Sequence, residues 1–160
     1  MKFGRQDVSG EATVPDGNIC LEIVIVEDET DIASVLAEFF QLEGYAATVF
    51  TRVVPALTYL RARRPALVLT DLLLPGMRGE ALIQTVRDWY GNSVPIIAMS
   101  ASVNLDRLTT LAVDASVAKP FDLDDLLARV DQLVCGRAGL IAATPVAAHP
   151  SNAHLAQDSY

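Results

Sequence analysis

Five short apolar runs, each followed by a stretch of helical period, constrain what this chain can fold into more than any other feature. The runs are Leu21–Val26, Ala46–Phe50, Ala66–Thr70, Pro95–Ser100 and Ala115–Lys119. They are rich in Val and Ile and mostly do not alternate with polar residues, the pattern of strands buried on both faces. Between them, Ile32, Val35, Leu36 and Phe39 share one helical face. So do Val53, Leu57 and Leu60, then Leu82, Val86 and Trp89, then Leu105, Leu108 and Ala112. The last helix carries Leu123, Leu126, Leu127, Val130, Leu133 and Val134 at offsets of three and four. Asp122 stands at its N-cap, Asp124 and Asp125 fall in its first turn, and Gly136 is predicted to close it. Right-handed crossovers turn such an alternation into a five-stranded parallel α/β sheet with helices on both faces.

Composition narrows the class. The chain has 160 residues, 51% of them hydrophobic and 20% charged, enough for one domain with a sizeable core. Twelve Lys and Arg stand against twenty Asp and Glu, a net charge of −8. That balance argues against nucleic acid or an anionic membrane as a partner. No apolar run is long enough to span a bilayer, and Met1–Asp7 lacks the apolar core of a secretion signal. Two Cys make no disulfide scaffold. The expectation is a cytoplasmic protein with a disordered N-terminal arm at 1–19, a domain at 20–136 and a flexible C-terminal tail at 137–160, with a short helix around Ala138–Thr144.

In a parallel α/β sheet the functional site lies at the carboxyl ends of the strands. The first strand runs into Glu27-Asp28-Glu29, the third into Asp71, the fourth into Ser100 and the fifth into Lys119. Polar strand ends are ordinary, but four that all supply chemically useful groups point to one site. Carboxylates crowded together repel unless some protonate or share a cation. Hard oxygen donors without His or Cys favour Mg²⁺ over zinc. Lys119 can meet a phosphoryl oxygen as a point charge, Ser100 can bond another, and Asp71 is left as a carboxylate nucleophile.

With these residues in place, about 20–136 resembles the receiver domain of two-component response regulators. The resemblance rests on four stretches in order: Ile23–Glu29, Leu67–Gly79, Pro95–Ala101 and Ala118–Phe121. It implies a flavodoxin-like sheet of order 2-1-3-4-5. Asp71 would be the phospho-acceptor. Glu27 and Asp28 would hold Mg²⁺, Asp28 directly and Glu27 through water, with Asp71 and the backbone carbonyl of Leu73 as further ligands. Ser100 and Lys119 would contact the phosphoryl group, and Lys119–Pro120 would be a cis peptide. The implied partners are a sensor histidine kinase or histidine phosphotransfer protein upstream and a protein target downstream. Such a chain works as a monomer or weak dimer. It would be no enzyme beyond its own phosphorylation and dephosphorylation.

Three departures lie on the face that usually carries the signal onward. Ser116 replaces the aromatic three residues before the lysine. The interval from Ser100 to Lys119 is short by about a helical turn, leaving a helix no longer than Asn104–Val113. Val113 replaces a Gly before the fifth strand. Two other classes compete. A phosphorylation-independent adaptor would explain the altered face. A haloacid-dehalogenase-type phosphatase needs an acid two residues after its nucleophile, where this chain has Leu73. Elsewhere, Cys20 and Cys135 read as small buried hydrophobes, Trp89 and Tyr90 as packing residues closing a helix, and Arg61, Arg63 and Arg64 as favourable charge at a helix end. His149 and His154 read as solvent-facing residues of the tail, and Gly76 and Gly79 as turn residues.

Overall fold

The computed structural model describes residues 20–101 and 110–142. The order is β1 (Glu22–Val26), α1 (Thr30–Leu42), β2 (Ala46–Phe50), α2 (Val53–Ala62), β3 (Leu67–Asp71), α3 (Gly79–Tyr90), β4 (Ile96–Ser100), β5 (Ala115–Ala118) and α4 (Leu123–Ala142). The five strands form one parallel sheet in the order β2-β1-β3-β4-β5. The parallel sheet is the one the alternating pattern predicts, and its strand order is the one the resemblance implies.

Alternation along each strand divides the core in two, because neighbouring side chains point to opposite faces of a sheet. Ile23, Ile25, Leu67, Leu69, Ile97 and Met99 point toward one face, which Leu36 and Phe40 of α1 and Leu126, Val130 and Val134 of α4 cover. Val24, Val26, Val68, Ile96 and Ala98 point to the other, beneath Val53, Ala56 and Leu60 of α2 and Leu82, Ile83 and Val86 of α3. The Asp122 carboxylate accepts the backbone N–H groups of Asp124 and Asp125 at 2.8 and 3.2 Å, so it caps α4 as expected.

Four local expectations are corrected. The buried stripe of α1 is Ala33, Leu36 and Phe40, while Val35 is 53% exposed. A spacing of three or four fixes a stripe but not how the helix is rotated about it. The chain leaves α1 through Gly44 at φ 90°, a left-handed turn that favours glycine, and this sets Phe40 against Phe39 and Tyr45 edge to face. Trp89 is exposed, and Tyr90 does the packing, its hydroxyl donating to the Leu60 carbonyl at 2.5 Å. Gly136 does not close α4, which continues to Ala142; one glycine inside a helix costs only about 1 kcal/mol. Cys135 is exposed and both cysteines are free.

Of the helix expected at Asn104–Val113, residues 104–109 lie outside the described residues. Leu111–Val113 are not helical. Arg87 of α3 holds this return. Its guanidinium donates to the carbonyls of Ala112, Gly91 and Val94 and to Asp114 Oδ2, at 2.5–2.9 Å, with 8% of the side chain exposed. Asp114 Oδ2 also accepts the N–H of Ile96 at 2.8 Å. Those bonds end the segment one residue before β5. The arm and most of the tail also lie outside the described residues.

The rotated α1 face has a direct test. Phe40→Ala should lower stability by about 3–5 kcal/mol as a fully buried aromatic lost. Val35→Ala should change it by no more than about 0.5 kcal/mol, as an exposed position does. Urea midpoints of the two variants decide it, and equal losses would return Val35 to the core.

Candidate functional site

Because every strand runs the same way, all five end on one edge, and the polar residues that stop the apolar runs meet there. The ladder continues one residue past the strands. Glu27 N–H donates to Phe50 O at 3.0 Å, Leu72 N–H to Met99 O at 3.0 Å and Lys119 N–H to Ser100 O at 2.8 Å. These bonds fix the backbones that carry Glu27, Asp71, Ser100 and Lys119. The bond between Lys119 and Pro120 is cis.

Glu27 is fully buried, and Asp71 and Ser100 nearly so, at 5% and 6% exposed. Lys119 Nζ donates to Glu27 Oε2 at 2.7 Å and to Asp71 Oδ2 at 2.5 Å. It lies 3.9 Å from Glu29 Oε1, which is largely in solvent and adds little. The remaining oxygens have backbone partners: Glu27 Oε1 accepts Glu29 N–H at 3.2 Å, and Asp71 Oδ1 accepts Leu73 N–H at 2.8 Å. One carboxylate oxygen from each of Glu27, Asp28 and Asp71 lies within 4.8 Å of the others.

The structure therefore brings together Glu27, Asp28, Asp71 and Lys119. Ser100 stands at the end of the neighbouring strand, in register with Ala118. Leu73 presents its N–H to Asp71 and its side chain to solvent, 63% exposed. Glu29, the third acid of its run, joins the neighbourhood, and so does Thr70, which sequence reasoning missed. Thr70 carried only a weak signal, a hydroxyl inside an apolar strand.

Burial pushes the Glu27 carboxyl above its usual range, against the pull of Lys119 and the Glu29 N–H, and Asp71 pushes it further up. Burial alone would lower Lys119, but its bonds to Asp71 and Glu27 outweigh that and hold the ammonium above its ordinary value. Linkage gives the signs. Ionised Glu27 weighs against the fold as the pH rises from 4.5 through its raised folded value, and acid relieves it. Lys119 supports the fold at every pH below 10.5 and loses that support only as the pH rises through its raised folded value. The site is thus a cluster of acids held by a single ammonium, and its spare charge is negative. The donors are all hard oxygens, a set that fits Mg²⁺.

Residues 23–131 match the response regulator receiver domain family. The chain belongs to that family. It is 32% identical over 115 residues to the transcriptional regulatory protein BaeR of Escherichia coli O6:H1, covering 70% of this chain and 47% of BaeR. It is 36% identical over 111 residues to the sensory transduction protein RegX3 of Mycobacterium bovis, covering 68% and 48%. The chain spans about half the length of the curated relatives it matches. Among solved structures, the response regulator TrrA of Thermotoga maritima, in complex with Mg²⁺ and BeF, superposes with a TM-score of 0.66 at 29% identity, over 71% of this chain and 98% of that one. A CheY-like receiver domain protein of Methanospirillum hungatei gives 0.72 at 22% identity, covering 76% and 98%, which speaks for the shared fold. No helix among the described residues of this receiver domain is long and apolar enough to cross a membrane.

The shared ammonium sets an energetic expectation for the metal-free receiver. Lys119→Met leaves buried carboxylates without a counter-charge and should lower stability by about 3–5 kcal/mol. Asp71→Asn removes one repelling charge and should raise it by about 1–3 kcal/mol. The double variant should recover part of the Lys119→Met loss. Thermal melts in EDTA measure all three, and a lower Tm for Asp71→Asn than for wild type would refute the repulsion.

Proposed function

We propose that this receiver domain is the phosphoacceptor of a two-component pathway, taking a phosphoryl group on Asp71 from a phosphohistidine of a sensor histidine kinase or phosphotransfer protein. The observation that carries this reading is the Asp71 carboxylate, buried at the edge of the sheet, bonded to Lys119 and within reach of two further acids. A carboxylate oxygen of Asp71 forms the new bond to phosphorus as the bond from phosphorus to the imidazole nitrogen breaks, and the imidazole leaves with the electron pair. Lys119 is placed to follow the charge from the carboxylate onto a phosphoryl oxygen. Ser100 supplies a hydroxyl to another.

Asp28, Asp71 and the Leu73 carbonyl would hold Mg²⁺ directly. Glu27, fully buried and bonded to Lys119, would reach the ion through water. When bound, Mg²⁺ supplies the positive charge that lets an anionic phosphoryl group approach these carboxylates. A magnesium ion is coordinated in the active-site cleft of the receiver domain of the sensor histidine kinase PA1611 of Pseudomonas aeruginosa, 26% identical to this chain.

A groove of about 600 Å³ opens beside Lys119, lined by Ile32, Val35, Phe121 and Leu123 among others. Val35, apolar yet out of the core, lines it, and it would give a donor protein an apolar rest next to the acceptor. The partners are proteins and the setting cytoplasmic. The net charge of −8 does not favour binding of nucleic acid by this receiver domain itself. Regulation of transcription belongs to the names of the longer relatives. Leu73, apolar and turned to solvent, leaves no general acid for a phosphatase of the haloacid-dehalogenase type.

Acetyl phosphate with Mg²⁺ should label wild type and fail to label Asp71→Asn, read as acid-labile phosphate or by intact mass. A labelled Asp71→Asn would overturn the assignment. Hydrolysis of the acyl phosphate requires a water in line with the bond that breaks. Leu73, beside Asp71, offers no group to orient one, so the label should be long-lived. Leu73→Asn should shorten its half-life by about threefold or more, on the scale of one added orienting hydrogen bond. An equal or longer half-life in that variant would place control of water elsewhere.

A further inference from the structure

Thr70 is fully buried in β3, and phosphoryl transfer at Asp71 makes no direct use of it. A buried hydroxyl needs a partner. Its partner is the main-chain carbonyl of the next residue: Thr70 Oγ1 donates to Asp71 O at 2.9 Å. The same carbonyl is crowded from another direction by the first residue of α3. A Cβ added at Gly79 would lie 2.2 Å from Asp71 O and 2.9 Å from Leu72 Cα, so not even a methyl group fits. Gly79 is therefore no turn residue, as its sequence context suggested. It is glycine for space. Its N–H donates to Leu72 O at 3.2 Å, while Leu72 N–H donates to Met99 O at 3.0 Å.

The peptide joining Asp71 to Leu72 is thus held at its N–H by β4, at its carbonyl by Thr70, and along one side by Gly79. The carboxylate depends on that peptide. Asp71 Oδ1 is oriented by the N–H of Leu73, two residues on, so a tilt of the 71–73 backbone carries the carboxylate with it. Misplacement of a reacting group by about 1 Å can slow a reaction by about a hundredfold.

We propose that Thr70 and Gly79 are positioning residues, which seat the Asp71–Leu72 peptide and through it aim the Asp71 carboxylate. The inference rests on Asp71 as the phospho-acceptor. Thr70→Val removes the hydroxyl at nearly constant volume, and Thr70→Ser restores it. Gly79→Ala intrudes on the seat. Thr85→Val is the control, since Thr85 donates in a similar way to a carbonyl of α3, that of Ala81, at 2.8 Å, away from the site.

Three readouts separate aim from general damage: Mg²⁺ affinity by calorimetry, the initial rate of labelling by acetyl phosphate at saturating Mg²⁺, and Tm. Thr70→Val should label about 3–10-fold more slowly with Mg²⁺ affinity within about twofold of wild type, and Thr70→Ser should return to within about twofold. Gly79→Ala should lose about fivefold or more in Mg²⁺ affinity and about tenfold or more in labelling rate. Thr85→Val should change neither. Labelling of Thr70→Val within twofold of wild type, or equal losses in Thr85→Val or Thr70→Ser, would overturn the proposal. If Gly79→Ala does not fold, the Thr70 pair decides alone. If wild type takes no label, the acceptor reading falls. The seat then stands or falls on whether Gly79→Ala weakens Mg²⁺ binding.

Discussion

One ammonium shared between two buried carboxylates is the interaction on which the rest of this site depends. From the end of β5, Lys119 reaches past β4 to Asp71 at the end of β3 and on to Glu27 at the end of β1. It can do so because parallel strands deliver all their carboxyl ends to one edge. Remove that convergence and the same residues would be isolated surface charges of little energetic weight. With it, each charge is partly stripped of water and the group settles its balance internally. Lys119 is held charged, Glu27 is held against its preference, and the negative charge left over makes the edge receptive to a cation.

The strands and their common edge were legible because burial on both faces demands unbroken apolar runs. Ala46–Phe50 is the observed strand to the residue, and the others differ from the reading by a residue or so at their ends. The helices were less legible in detail. Period gives a stripe, but the angle at which a helix meets the sheet depends on the turn that leads out of it. At α1 the Gly44 turn and the ring of Tyr45 bring Phe40 inward and leave Val35 out. At α4 the helix runs through Gly136 to Ala142, where local propensity suggested a stop. The return to β5 was least legible. It is organised by Arg87 from a different helix, and no local pattern announces a guanidinium that takes three carbonyls and a carboxylate.

At the site, the side chains at the strand ends could be named from sequence because residue type reveals what they offer. Their backbone supports could not. Thr70 and Gly79 act on a main-chain carbonyl, which every residue possesses, so nothing in their neighbours' identities marks the contact. Gly79 in particular sits just past a loop with Pro75 and Gly76, where a turn is the ordinary expectation. Only the distance to Asp71 O separates a glycine kept for its conformation from one kept for its size.

The arrangement also sets stability against chemistry. A better-folded version of this edge is easy to imagine: an amide at Asp71 would relieve the repulsion and leave Lys119 to Glu27. Such a protein would lose the carboxylate oxygen that can bond phosphorus and one of the charges that attract a cation. The acids expected to weaken the metal-free fold are thus the groups proposed to give the edge its chemistry, a common trade in proteins held just above their stability threshold. The fold offsets the strain with uncharged means. Buried Val, Ile and Leu flank the site on both faces of the sheet. Backbone bonds past the strand ends fix the carboxylates where side-chain repulsion would push them apart. Rigid backbone beneath mutually repelling side chains keeps the charges close enough for one cation to serve them all.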